Sequence, residues 1–249
     1  MSGETVRFVR NSLVLIVGLV LAWQILFWLA GDAAMRSPWQ TVRFTAKLVT
    51  TETFRDHLTE SARAFAAALA ISVLLGLLIG FALGLHRLAR EVMEPMLVAV
   101  YSIPKITLYP ILLLAFGIGT SAKVAFGAIH GFIPVALFTI NAVRNVRPIL
   151  LKTGRVHKLS PPVMVRSILF PAAIPEIFTG IRVGFSLTLI GTLLGEMFAA
   201  QRGVGYLLMN AIGLYNVDLI MALTFLLFVF AASANIILLA IDHRLHGRA

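Results

Sequence analysis

The chain lacks cysteine altogether in 249 residues, which excludes disulfides, thiolate metal sites and thiol catalysis. Charge is scarce as well: 13% of residues are Asp, Glu, Lys or Arg, 59% are hydrophobic, and the mean hydropathy is +0.93. An ordinary soluble domain carries about 25% charged residues, so this composition belongs in a bilayer. Acid is the scarcer sign, with 11 acidic against 21 basic residues and a net charge of +10. In a soluble protein that excess would suggest nucleic acid, but here the basic residues lie between apolar runs, where they orient helices. No nucleic-acid partner is expected. Also missing are Gly-x-Ser-x-Gly, a Gly-rich loop ending in Lys-Ser or Lys-Thr, and His-Glu-x-x-His, the signatures of hydrolase, phosphate-binding and zinc-protease sites. The chain therefore reads as a non-enzyme with no cofactor or metal of its own. Its histidines are scattered, and His243 and His246 read as an interfacial tail.

What the sequence does contain is a series of apolar runs at about residues 13–30, 62–85, 97–116, 122–143, 177–198 and 219–241. Each is close to the roughly 20 residues that one crossing requires. Hydrocarbon offers no partners to backbone amides, so each run should be a helix. The expected fold is all-α, a single transmembrane domain of six spans filling residues 1–249, with both termini on one side. Arg7 and Arg10 precede the first run as in a signal peptide, but no small-residue cleavage site follows Trp28, so a retained helix is expected. Arg144, Arg147, Lys152, Arg155, Lys158 and Arg166 crowd the connection after the fourth run, with no acid before Glu176. The positive-inside rule makes residues 144–176 cytoplasmic, together with both termini, which carry Arg7, Arg10, Arg244 and Arg248.

Two runs depart from a plain apolar helix. In the third, Pro104 and Pro110 remove backbone donors and Lys105 sets a charge near mid-membrane, so a kink facing protein is expected. In the fifth, Gly180, Gly184, Ser186, Gly191 and Gly195 allow close approach of another helix. The fifth run also ends in an acid, Glu196. Arg182 lies fourteen residues earlier, about 21 Å along one helix, too far to pair within it. Pairing across a dimer, lining a pathway, and capping backbone at the outer headgroup level are three open readings of Glu196.

The basic connection is amphiphilic, since Leu151, Val156, Leu159, Val163, Val165, Ile168 and Leu169 lie among its cations. Gly154 and the pair Pro161–Pro162 should break it into two short helices with a turn. Such a hairpin could dock into a partner's groove, or it could be an interfacial connection whose charge only sets topology.

The stretch Ile168-Leu169-Phe170-Pro171-Ala172-Ala173-Ile174-Pro175, followed by Gly180-Ile181-Arg182, resembles the end of the cytoplasmic coupling loop in binding-protein-dependent permeases of ATP-binding-cassette importers. The span ending in Glu196-Met197, the segment Gly203-Val204-Gly205, the third-span residues Ile103-Pro104-Lys105 and Pro110, the turn Phe116-Gly117-Ile118-Gly119, and the pair Glu94-Pro95 resemble the same family. The likeness covers roughly residues 54–245 and is nearest the nitrate, sulfonate and taurine type. It implies a coupling hairpin using Lys152, Gly154, Arg155, Lys158, Leu159, Ser160, Pro161 and Pro171. It also implies a translocation pathway touched by Tyr101, Pro104, Lys105, Arg182 and Glu196. The implied partners are a second permease subunit, as a homodimer, two ATPase subunits that bind ATP and Mg, and a periplasmic or lipid-anchored substrate-binding protein, all at the bacterial inner membrane. The implied cargo is a small anion such as a sulfonate, taurine or nitrate, with a thiamine precursor or other heterocycle as the alternative. One departure stands out. Lys158 occupies the position where the family's coupling loop carries Gly, and Lys152, Thr153 and Gly154 replace its Glu-Ala-Ala. An ATP-independent secondary transporter is the reading from another class, but it should show inverted repeats with paired broken helices, and only one irregular span is visible.

Overall fold

The computed structural model describes residues 3–246, so Arg248 of the expected cytoplasmic tail lies outside the described residues. Every regular element among them is helical. Five helices are long and apolar enough to cross a membrane, and there are six such segments when a helix pair bent by 89° is taken as one span. The all-α expectation and the number of spans hold, while several boundaries move.

The chain divides into two compact units, each described by itself. The first comprises the chain up to Asp56 together with Leu207–Val229. It holds α1 (Gly3–Ala30), whose described side chains are almost all exposed, and the short α2 (Pro38–Leu48). Ser37 starts α2 with a capping box: its Oγ accepts from the Gln40 N–H at 3.3 Å, and Gln40 Oε1 accepts from the Ser37 N–H at 2.8 Å. Trp23 Nε1 donates to Arg36 O at 3.0 Å. The Arg36 guanidinium makes a two-pronged bond with Asp218, Nε to Oδ1 at 2.6 Å and Nη2 to Oδ2 at 3.1 Å. That bond holds Arg36 above the ordinary arginine range.

The second unit comprises His57–Tyr206 and the chain from Phe230 onward. Its centre is a close pair, α6 (Thr120–Arg144) and α9 (Phe170–Ala199), with α3 (Glu52–Leu85) laid against α6. Small residues allow the approach. A Cβ on Gly76 would lie 2.5 Å from Val135 Cβ, one on Gly84 would lie 2.9 Å from Val143 Cβ, and one on Gly184 would lie 2.6 Å from Val135 Cγ2. Lipid gives no hydrophobic drive between helices, so this packing contact is the attraction. The fifth-run glycines were legible as a packing face; the Gly76, Gly80 and Gly84 ladder on α3 was not singled out. Between α9 and its neighbours, Ser72 Oγ and Thr188 Oγ1 share a bond of 3.0 Å.

Three expectations need correction. The helix that carries the second run begins before it: α3 starts at Glu52, an acid suited to a helix's first turn. The third run is not one kinked helix. It is α4 (Arg87–Ser102), a break at Ile103–Pro104, a 3-10 turn over Lys105–Leu108, and α5 (Tyr109–Phe116). Pro104 has no N–H and bars the preceding residue from helical dihedrals, and Ile103 is extended at φ −69°, ψ 133°. Finally, the fifth span reaches far into the supposed loop, since Pro162–Phe198 is one helical rod of 37 residues. It opens with α8 (Pro161–Met164) and passes through a π turn at Val165–Leu169 before α9.

Candidate functional site

Polar chemistry gathers at three places in the second unit. The first is the basic hairpin. Its leading arm is α7 (Pro148–Val156) and its returning arm is α8 with the π turn. Gly154 does not break a helix as expected; it is buried inside α7, where a Cβ would lie 2.8 Å from both Ile168 Cδ1 and Met164 Cε. Its missing side chain lets the arms touch. The turn sits at residues 157–160, ahead of Pro161–Pro162. Leu159 N–H bonds Gly154 O at 3.0 Å and Lys158 N–H bonds Arg155 O at 2.9 Å. This is the Schellman closure of a helix, and it puts Lys158 in the left-handed region at φ 51°. The departure from the family's Gly therefore falls on the one residue of the hairpin whose backbone favours Gly. Lys152, Arg155, Lys158, Ser160 and Pro171 are exposed, whereas Leu159, expected to fill a partner's groove, is only half-exposed. Val156, at 78% exposed, is the more prominent apolar group. The side chain of Pro161 lies outside the described residues. At the hairpin's base, Leu169 packs with Val143 and Val146, and Phe81 stacks on Phe170 at 6.0 Å.

The second place surrounds Glu196, which is 0% exposed. Ser61 Oγ contacts its two carboxylate oxygens at 2.9 and 2.7 Å, and the Gly205 N–H donates to Oε2 at 3.0 Å. Lys123, only 2% exposed, sets its Nζ 3.4 Å from Glu196 Oε1 and 3.0 Å from Glu60 Oε1. Thr120 Oγ1 donates to Glu60 at 2.7 Å, and Ser61 Oγ accepts from the Val204 N–H at 2.7 Å. Gly203 sits at φ +124°, and a Cβ there would collide with the Glu196 carboxyl. Buried ions survive when paired and hydrogen-bonded, and this cluster meets that condition with groups from α3, α6, α9 and the first residues of α10 (Val204–Gly213). Glu196 is thus enclosed within this chain. It receives the Gly205 N–H, and its ion partner is Lys123 of the same chain, not Arg182 across a dimer. Lys123 and Glu60 escaped the sequence reading, although a lone lysine at the head of an apolar run was the available signal.

The third place is a shallow groove of about 260 Å³ that includes Tyr101, Arg182, Ser186 and Asn235. Lys105 lies against the Tyr101 ring, with Nζ 4.6 Å from its centre and donating to Tyr101 O at 3.0 Å. Of the residues expected on a pathway, Tyr101 and Arg182 share this groove, Lys105 meets Tyr101, and Pro104 is the exposed residue at the break before Lys105. Arg182 pairs with Asp242 and not with Glu196: Nε lies 3.4 Å from Asp242 Oδ2, and that nitrogen has no hydrogen-bond partner. Asp242 is also held by Thr179 Oγ1 at 2.9 Å and lies 3.4 Å from His246 Nδ1. Among the described residues, no group of three or more His, Asp or Glu is placed to hold a metal ion.

Comparison with known proteins fits this architecture. The chain is 27% identical to the taurine transport system permease protein TauC of Escherichia coli over 78% of its own length and 72% of that protein. It is also 27% identical to the aliphatic sulfonates transport permease protein SsuC of Bacillus subtilis, described as putative, over 81% of its length and 74% of that protein. Among solved structures, an inward-facing form of the MetNI methionine ABC transporter contains a chain with the same fold. It matches at a TM-score of 0.66 and 19% identity, covering 84% of this chain and 97% of that one. Residues 72–248 match the model for the binding-protein-dependent transport system inner membrane component. With five apolar spans and a bent helix pair, a basic hairpin before the rod that carries α9, and that match over most of its length, the chain belongs to the binding-protein-dependent transport system inner membrane component family.

Proposed function

We propose that this permease carries a small anion of the sulfonate, taurine or nitrate class into the cell by alternating access, driven by ATP hydrolysed on a separate subunit. The observation that carries the reading is the groove lined by Tyr101 and Arg182, a phenol and a cation set among apolar spans, with Lys105 against the Tyr101 ring. Cations at membrane depth are costly and mark a solute path. The relatives named for taurine and aliphatic sulfonates agree with that charge. A second permease subunit, in a homodimer, completes the path around a two-fold axis. Two ATPases receive the hairpin tips carrying Lys152, Arg155, Lys158 and Ser160. A substrate-binding protein docks on the opposite side, and both termini face the cytoplasm with the hairpin. The chain has no phosphate-binding loop, so ATP and Mg belong to the ATPase.

The test is reconstitution of the permease with the ATPase and binding protein encoded beside it, followed by uptake of labelled taurine, methanesulfonate and nitrate. Uptake that needs all three components and ATP supports the reading. Uptake driven by an ion gradient without the ATPase would move the chain to secondary transport, and selective uptake of a neutral heterocycle would replace the anion.

A further inference from the structure

The groove holds more than Tyr101 and Arg182. Ser186 lies on α9, one helical turn beyond Arg182, so the two share a face. Asn235 comes from α11 (Val217–His246) and is exposed there among Ile236 and Ile237. An amide on an otherwise apolar face of a span needs a polar partner, and Asn235 has none among the described residues. Arg182 Nε is buried without a hydrogen bond, 3.4 Å from Asp242 Oδ2. We propose that Arg182, Ser186 and Asn235 form a weak oxyanion seat within the permease, so that this chain takes part in selecting the solute. The proposal rests on the import reading above.

The chemistry is that of sulfonate and nitrate recognition. A guanidinium offers a planar fork of donors to two oxygens, and the asparagine amide supplies donors at the side. The serine hydroxyl has one donor, held to Arg182 O at 3.4 Å, a long bond that it exchanges for an anion's oxygen. Size agrees, since pockets for drug-sized ligands start at about 300 Å³ and this one is about 260 Å³. That suits a small anion better than a fused heterocycle.

Asp242 sets the strength of the seat. Arg182 meets Asp242 at 3.4 Å without a hydrogen bond, whereas Thr179 bonds the same carboxylate at 2.9 Å. An arriving anion therefore competes with a loosely held internal counter-ion, and Asp242 keeps Thr179 when Arg182 turns away. A transport path must bind weakly enough to release, and an internal competitor keeps affinity low.

The experiment uses the permease assembled with its ATPase in nanodiscs, without binding protein, and measures equilibrium binding of radiolabelled methanesulfonate. Dimethyl sulfone, of similar shape and no charge, is the control. Saturable millimolar binding is expected for the anion and none for the sulfone. Asn235→Leu and Ser186→Ala should each weaken it by about tenfold, the worth of one donor to a charged acceptor. Arg182→Lys should retain part of the binding and Arg182→Gln none, while Asp242→Asn should tighten it. Absence of saturable binding, equal binding of the sulfone, or wild-type binding by the Ser186→Ala and Arg182→Gln proteins overturns the seat. So does loss of subunit assembly in Asn235→Leu with unchanged binding in Ser186→Ala, which would make the asparagine a helix-packing group. ATP-driven uptake by the complete wild-type system is measured in parallel. If it is present while these binding results fail, only the seat is lost; if no solute is taken up, the import reading fails with it.

Discussion

Lys123→Met should destabilise the protein more than Glu196→Gln, although the two side chains form one ion pair. Lys123 stands between two acids, 3.0 Å from Glu60 and 3.4 Å from Glu196. Removing it strands Glu196, which no solvent reaches, and leaving a buried charge without its partner costs about 3–5 kcal/mol. Glu196→Gln is gentler. Lys123 keeps Glu60, and the amide oxygen can still accept from Ser61 or from the Gly205 N–H, so the loss is nearer the about 1–3 kcal/mol of an imperfect hydrogen-bond replacement. The double variant Lys123→Met with Glu196→Gln removes the stranded charge altogether and should be more stable than Lys123→Met alone. Unfolding of the purified permease in mixed micelles, read by circular dichroism, gives all four midpoints of this cycle. A double variant whose loss equals the sum of the singles, or a Glu196→Gln loss equal to that of Lys123→Met, would refute the argument that Lys123 neutralises an enclosed carboxylate.

Lys158→Gly should raise stability, because relief of the left-handed penalty of about 1–2 kcal/mol exceeds the glycine's extra unfolded-state entropy of about 0.5–1 kcal/mol; the thermal midpoint reads it. Gly131→Ala should lower it by about 1–3 kcal/mol, since its Cβ would lie 2.6 Å from Ser72 Oγ and 3.0 Å from Gly184 O, whereas Gly18→Ala, inside α1 with nothing within 4 Å, should leave it unchanged or raise it by up to about 1 kcal/mol. Val156→Asp, on the exposed hairpin tip, should reduce co-purification of the ATPase about tenfold without altering membrane insertion, and undiminished recovery would leave the hairpin a purely topological loop. Single cysteines at Ser160 and Thr50 should label from opposite faces of the membrane, and labelling of both from outside intact cells would reverse the orientation.

The crossings were legible because bilayer thickness imposes a length on apolar runs, and the break at Ile103–Pro104 because proline announces its missing donor. The hairpin was legible as two short arms, but its turn was misplaced. Gly154 looks like a breaker in one dimension, and only the neighbouring arm shows that it is a contact surface. Residues 52–61 were assigned to a loop because they are charged, yet charge does not prevent a helix whose first turns project beyond hydrocarbon. The pairing of Lys123 with Glu196, and of Arg182 with Asp242, was not readable at all. Each joins helices far apart in the chain, and hydropathy records depth without neighbours.

The rod from Pro162 to Phe198, 37 residues and about 55 Å long at 1.5 Å per residue, begins in the hairpin and ends beside the Glu196 lock. A continuous helix resists compression, so a displacement imposed at the hairpin should arrive at the far end with little attenuation. Its ladder is loosened near the hairpin, by the π turn at Val165–Leu169 and by Pro175 inside α9. Mechanically the segment is a lever with a soft joint close to its handle: small misalignments at the handle are absorbed there, and strokes large enough to close the joint move the whole shaft.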